Sequence, residues 1–272
     1  MKTLRTVAEA RRHLAPIRGH ATIGLVPTMG ALHDGHVALF RAARHACGHV
    51  VATLFVNPGQ FNDPADLAAY PRCEVQDSEI AAAAGVDAIF IPSIEQIYPP
   101  GDATSLVVQG AALGFEGACR PGHFDSVATV CVKLFNIIGP DVAYFGQKDA
   151  QQVAVIRQTV RDLHLPLPIE VVATVRETDG LALSSRNARL SADERRRALA
   201  LPRALLAGLA AHAEGRDPVV AARTALAGLE VDYLDVADFD GHPTLLVAAR
   251  VGATRLIDNV PLDHPARAGF AT

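Results

Sequence analysis

The sequence predicts an α/β fold in which a doubly wound parallel sheet is followed by a second, smaller α+β domain. Three observations carry this. Short apolar runs at 22–26, 50–56 and 88–91 are continuous rather than alternating, as in strands covered on both faces. Helix-patterned segments lie between them, which implies parallel crossovers. Beyond about residue 175 the order changes to helices and then short strands, the pattern of an α+β unit.

The first run is partly β-branched and ends at Pro27 and a Gly-containing turn, after which a helical pattern covers 36–47. Asn57-Pro58-Gly59 stops the second run and Pro92 the third, with a helix-like segment at 75–84 between them. A helix at 127–138, a strand at 142–145, a helix from about 149 to 163 and a strand at 169–175 complete a Rossmann-like first domain, residues 1–175. An Ala- and Arg-rich helix at 192–212 and another at 219–229 precede strand candidates at 233–236, 245–251 and 255–257. Residues 176–272 therefore form the smaller domain, joined near 175–180. There is no internal repeat.

Composition narrows the function. The 272 residues carry 25 Lys+Arg against 29 Asp+Glu, a formal charge of −4 with eleven His uncounted. That balance excludes the broad basic surface expected of a nucleic-acid binder, so any anion site is local. Half the residues are apolar, yet nothing reaches the roughly 20 consecutive apolar residues of a membrane helix. Glu9, Arg11 and Arg12 interrupt the N-terminus before a signal peptide could form. Cys47, Cys73, Cys119 and Cys131 are widely spaced without a C-x-x-C pair, so they are expected to be reduced and mostly buried in a cytoplasmic protein.

Three stretches could carry chemistry. Pro27-Thr28-Met29-Gly30-Ala31-Leu32-His33-Asp34-Gly35-His36 lies where the first strand gives way to its helix, the edge at which open α/β sheets bind ligands. A helix start favours phosphate, and imidazoles at i, i+3 can donate to its oxygens; helix capping or metal ligation are the alternatives. Gly146-Gln147-Lys148-Asp149 opens a later helix, with Lys148 able to reach a phosphate, Asp149 able to cap the helix or help organise a cation, and Gln152 one turn on able to offer its amide to a hydroxyl-bearing substrate. Leu183-Ser184-Ser185-Arg186 sets two hydroxyls before a guanidinium, a cradle for polyphosphate or an ordinary loop. Asn57-Pro58-Gly59-Gln60 ends the second strand on the same sheet edge, and Arg120 to His123 form another Gly/Pro loop.

Together with Phe55-Val56-Asn57-Pro58, Tyr70-Pro71-Arg72, Thr174-Val175-Arg176-Glu177 and Arg255-Leu256-Ile257-Asp258-Asn259, these segments resemble the pantothenate synthetases, the pantoate–β-alanine ligases of the HxGH nucleotidylyltransferase superfamily. The resemblance runs along nearly the whole chain. It implies condensation of (R)-pantoate with β-alanine at the expense of ATP, through a pantoyl adenylate, giving pantothenate, AMP and pyrophosphate. It implies that Met29 to His36 line ATP, with His36 as proton donor and His33 beside the phosphates. Gly146 to Asp149 would bind ATP, Lys148 on its phosphates; Val175 would meet the adenine, and Leu183 to Arg186 would close over the phosphates. Gln60 and Gln152 would hold pantoate, joined by Met29, Asn57 and Arg120. Asp77 would stand near Mg²⁺, which arrives chiefly on ATP. A homodimer is implied as well.

Four positions depart from the family's usual residues. Gln147 stands for Glu, Ala150 for an aromatic, Cys73 for Thr and Ser126 for Gly. Ser126 raises a backbone question, because Gly can serve a position with φ > 0, and Ala150 a question of packing beside Lys148. The competing functions are another HxGH nucleotidylyltransferase and a catalytically silent nucleotide-binding protein. The first has no need of paired amides at Gln60 and Gln152. The second should have lost one of His33, His36, Lys148, Ser185 or Arg186, and all are present.

Overall fold

The computed structural model describes residues 1–239 and 241–270. In chain order the elements are β1 (Lys2–Leu4), α1 (Val7–Leu14), β2 (Ile23–Thr28), α2 (Asp34–Ala46), β3 (His49–Leu54), α3 (Pro64–Ala68), α4 (Glu74–Ala83), β4 (Ala88–Phe90), α5 (Ile94–Ile97), α6 (Phe115–Cys119), α7 (His123–Ile138), β5 (Val142–Gly146), α8 (Ala150–Asp162) and β6 (Ile169–Val172). After these come α9 (Ala192–Ala198), α10 (Ala200–Ala213), α11 (Pro218–Ala225), β7 (Glu230–Phe239), β8 (His242–Val251) and β9 (Thr254–Pro261).

The first six strands form one sheet in the order β1-β4-β3-β2-β5-β6. The pairs along β1, β4, β3, β2 and β5 are parallel, with Leu25 opposite both Val51 and Ala143. Because side chains alternate across a strand, each apolar run feeds both faces. Ile23, Leu25, Val51, Phe90 and Phe145 enter one core with residues of α1 and α7. Val26, Val50, Ala52, Ile89 and Tyr144 enter the other with Leu39 and Phe40 of α2. The order reverses between β2 and β5, so the crevice at their carboxyl ends is the switch point at which such sheets bind ligands.

The chain divides into two units, one of residues 1–32, 36–145 and 152–172, the other of 33–35, 146–151 and everything from 173 onward. Relative to the expected 1–175 and 176–272, the division falls three residues earlier, and two short segments of the HxGH and Lys148 stretches cluster with the second unit. The second unit has its own antiparallel sheet, β7-β8-β9, packed on α10 and α11 through Leu205, Ala222, Leu245 and Val260.

Several elements differ from expectation for identifiable reasons. The helix expected over 192–212 is two, α9 and α10, broken at Leu199; Pro202 in the first turn of α10 has no N–H to continue a single helix. The strands β7, β8 and β9 outrun their predicted apolar centres: β7 extends through largely exposed polar and apolar residues, β8 begins earlier at His242, and β9 runs on through Asp258 and Asn259, polar residues that are buried. The strand expected over 169–175 stops at Val172. Of the four cysteines only Cys47 and Cys131 are buried; Cys73 and Cys119 are exposed, correcting the expectation that most would be buried. All four are free. Among the described residues no helix is long and apolar enough to cross a membrane.

Candidate active site

In the first unit the site begins with a turn that few residues adopt unaided. Gly30 has φ +87° and Ala31 φ +54°, both left-handed. A non-glycine residue there costs about 1–2 kcal/mol. The compensation comes from Asp77 in the first turn of α4, whose Oδ2 accepts from the Ala31 N–H at 2.9 Å and Oδ1 from the Leu32 N–H at 2.8 Å. The carboxylate is only 3% exposed, and a Cβ on Gly30 would stand 2.9 Å from its Oδ2. Two hydrogen bonds to a buried charge, each worth about 1.5–3 kcal/mol, outweigh the strain. Asp77, expected beside Mg²⁺, thus pins the backbone of the HxGH turn. Asp77→Asn puts an NH2 group against one of these N–H donors. It is expected to lower the unfolding free energy by about 1–3 kcal/mol in urea titration; an unchanged midpoint would mean the turn is held by something else.

Beside this turn Gln60 is buried, its amide Nε2 donating to Met29 Sδ at 3.0 Å. Asn57 is 1% exposed; its Nδ2 donates to Gln60 Oε1 (3.1 Å) and Ser126 O (3.3 Å), and its Oδ1 accepts from Tyr98 OH at 2.8 Å. Burial pushes the Tyr98 hydroxyl up to about 12, so it remains a donor throughout the working range. Arg120 and His123 both donate to the Gln60 carbonyl, at 2.9 and 3.0 Å. Asn57, expected on substrate, thus fixes the Gln60 side-chain amide, while Arg120, also expected on substrate, holds the Gln60 main chain. The question raised by Ser126 resolves simply. It lies inside α7, outside the positive-φ residues, and its hydroxyl donates to Gly59 O at 2.6 Å. Cys73, where Thr is usual, caps α4 without a side-chain hydrogen bond. A cavity of about 300 Å³ opens at the ends of β2, β3 and β4, lined by Met29, Gly30, Phe55, Arg72 and Asp77 among others. Gln152 is half-buried near the start of α8.

The second unit gathers the charged candidates. His33 Nδ1 accepts from the Gly35 N–H at 3.1 Å, which leaves the ring proton on Nε2 as a donor. Burial first, and then the positive charge of Lys148, hold the imidazole below its ordinary value, against the pull of Asp149, Asp34 and Glu177. His33 is therefore a neutral donor at neutral pH. The glycine between the histidines has a steric reason as well, since a Cβ on Gly35 would lie 2.8 Å from His33 Cε1. Lys148 is held through its backbone: Asn259 Nδ2 donates to Gln147 O at 3.0 Å and Lys148 O at 2.8 Å, while Gln147 Nε2 donates to Asn259 Oδ1 at 3.0 Å. The amide at Gln147 thus has a use that a Glu carboxylate could not serve. The Lys148 ammonium lies 3.5 Å from Asp149 Oδ1, and Ala150 beside it is buried.

Val175 O accepts from Leu183 N at 2.9 Å, which sets these two candidates side by side on a short hairpin. Ser184 Oγ accepts from Arg186 N at 3.3 Å and starts a single 3-10 turn, Ser185–Arg189, with Arg186 exposed. Residues that sequence reasoning does not single out support this frame. Asn259 and Asp258 belong to a quoted motif without an assigned task, whereas Arg195 is hidden in a charged helix beside Arg196 and Arg197. Among the described residues one group of three has metal-ligand spacing, His242, Asp263 and His264, with donor atoms within 4.8 Å of one another. Cross-strand placement explains it: Leu262 N donates to Pro243 O, continuing the β8–β9 register, and His242 Nδ1 meets Asp263 Oδ2 at 2.6 Å in an exposed hydrogen bond.

The family model for pantoate-beta-alanine ligase matches residues 2–261. A pantothenate synthetase of Cereibacter sphaeroides is 51% identical, the match covering 95% of this chain and 99% of that one. One from Moorella thermoacetica is 48% identical, covering 97% and 99%. Among solved structures, a pantothenate synthetase of Thermus thermophilus has a TM-score of 0.91 at 43% identity, covering 96% of this chain and 99% of that one. The pantoate-beta-alanine ligase of Francisella tularensis, complexed with beta-gamma ATP and beta-alanine, has a TM-score of 0.84 at 34% identity, covering 97% and 98%.

Proposed function

We propose a two-step, ATP-dependent route for this chain, which belongs to the pantoate-beta-alanine ligase family and joins pantoate to β-alanine. The pantoate carboxylate attacks the α-phosphorus of ATP and pyrophosphate leaves with the bridging oxygen. The β-alanine amine then attacks the acyl carbonyl of the pantoyl adenylate, loses a proton, and AMP leaves. The Francisella relative's complex with beta-gamma ATP and beta-alanine supports both co-substrates.

The carrying observation is the HxGH turn, where His33 is a neutral Nε2–H donor at a helix start, oriented by the Gly35 N–H. Such a donor meets phosphate oxygens without needing to be charged, and positioning with charge stabilisation is most of what phosphoryl chemistry requires. The two units divide the work. Gly30, Ala31, Leu32 and His36 of the first unit present backbone and imidazole to ATP, and Met29, Gln60 and Gln152 hold pantoate, Gln60 with its side-chain amide held by Asn57 and its main chain by Arg120. In the second, His33, Asp34, Gly35, Gly146 to Asp149, Val175 and Leu183 to Arg186 bind the nucleotide, with Lys148 and Arg186 offsetting the charge on pyrophosphate. Mg²⁺ enters chiefly as Mg-ATP, with Asp77 near it. The same reading makes the protein a cytoplasmic homodimer.

The test is isotope exchange. Labelled pyrophosphate should enter ATP when pantoate is present and β-alanine is not, and AMP should accumulate only with both. Exchange indifferent to pantoate overturns the reading.

A further inference from the structure

We propose that Arg195 is a positioning residue for the Ser184–Arg186 loop, acting through the carboxylates of Glu177 and Asp179 and the amide of Asn187. The inference rests on the reading that this loop binds ATP.

The hairpin leading to the loop is closed by Glu177 N donating to Leu181 O (2.9 Å) and Gly180 N to Glu177 O (2.8 Å). Glu177 and Asp179 stand on either side of its tip, and Arg195 from α9 grips both. Its Nη1 and Nη2 donate to Glu177 Oε1 and Oε2 at 2.9 and 2.8 Å, a two-point contact, while Nε and Nη2 donate to Asp179 Oδ2 at 2.9 and 2.6 Å. Glu177 Oε1 also accepts from Asn187 Nδ2 at 2.7 Å, and the same amide donates to Ala182 O at 3.0 Å. Asn187 N in turn donates to Ser184 O at 3.0 Å. One carboxylate oxygen thus joins the helix-borne guanidinium to the residue directly after the proposed phosphate-binding triplet.

Charge explains why this group positions rather than binds. One guanidinium against two carboxylates leaves a net negative cluster, which repels polyphosphate. The Glu177 charge also reaches His33, where it opposes that of Lys148. The Arg195 contact holds the Glu177 carboxyl below its usual range, so the clamp stays ionised at neutral pH. Only a planar fork can span both carboxylates at once, so Lys does not substitute.

The experiment compares Arg195→Met, Arg195→Lys, Asn187→Ala, Glu177→Ala and Glu177→Gln in pantoate-dependent exchange, alongside calorimetric titration with ATP alone. A positioning role raises the KM and Kd for ATP at least tenfold in Arg195→Met and Asn187→Ala while the KM for pantoate stays within twofold. Glu177→Gln, which keeps the acceptor for Asn187, loses less than Glu177→Ala, and Arg195→Lys behaves like Arg195→Met. General destabilisation would not separate ATP from pantoate. If Arg195→Met does not fold, Asn187→Ala decides. Unchanged ATP affinity in the variants overturns the clamp. A wild type whose exchange ignores pantoate overturns the reading of function instead, and ATP titration still judges the clamp.

Discussion

Lys148→Met lowers pantoate-dependent pyrophosphate exchange by about 100- to 1000-fold, the loss typical of one preorganised donor aimed at developing charge. It also moves a second observable in a direction fixed by the structure. The Lys148 cation is the second cause, after burial, that keeps His33 below its ordinary value, so its removal raises the His33 pKa while burial still holds it short of that of a free imidazole. The linkage follows. Because His33 is depressed in the folded state, the unfolded chain takes up that proton first as pH falls through about 6.5, and folding stability declines below that pH. In Lys148→Met this acid-side loss becomes smaller. NMR titration of the ring and an exchange assay on the same sample test both halves. A tenfold or smaller rate effect with an unmoved His33 would mean that Lys148 points away from the nucleotide.

The contrast between what the sequence reveals and what it hides is clearest at such pairs. Apolar runs and their stops locate β2, β3 and β4 because burial on both faces is written in consecutive residues, and the turn residues Pro27 and Gly30 mark where chemistry can sit. His33 and Lys148 are each visible as candidates. Their influence on one another is not, since it depends on a fold that brings distant segments into one unit. Asp77 illustrates a different limit. An acidic residue in the first turn of a helix is legible, but whether its oxygens face a cation or two strained N–H groups depends on the φ of Ala31. Arg195 reads as one of three adjacent arginines on a solvated helix, and only the positions of Glu177 and Asp179 separate it from Arg196, which pairs locally with Asp193. The ends of β7 and β9 escape a reading by apolar runs because polar residues interrupt them, Asp232 and Asp238 on exposed positions of β7 and the buried Asp258 and Asn259 in β9.

Asp258→Asn is the substitution expected to cost most stability. The change is nearly isosteric, so packing volume is preserved and electrostatics decides. Arg176 and Asp258 form a two-point pair at 2.7 and 3.1 Å with side chains only 4% and 2% exposed. The guanidinium also donates to Ala268 O at 2.6 Å and Gly180 O at 3.0 Å and stacks 3.7 Å from the Phe270 ring centroid. Removing the negative charge leaves Arg176 buried and uncompensated, a loss of about 3–5 kcal/mol. For a chain of this size that corresponds to roughly 6–20 °C in melting temperature. The damage should also reach chemistry, because Asp258 Oδ1 accepts from the Asn259 N–H at 2.8 Å, and Asn259 holds the backbone of Gln147 and Lys148. Exchange should therefore fall even below the melting transition, with the ATP KM rising. The double variant Arg176→Met/Asp258→Leu separates the two effects: with no unpaired charge it should melt closer to the wild type than either single change. Additive losses in the double variant would show that the pair is not coupled, and a wild-type melting temperature for Asp258→Asn would show that water reaches Arg176.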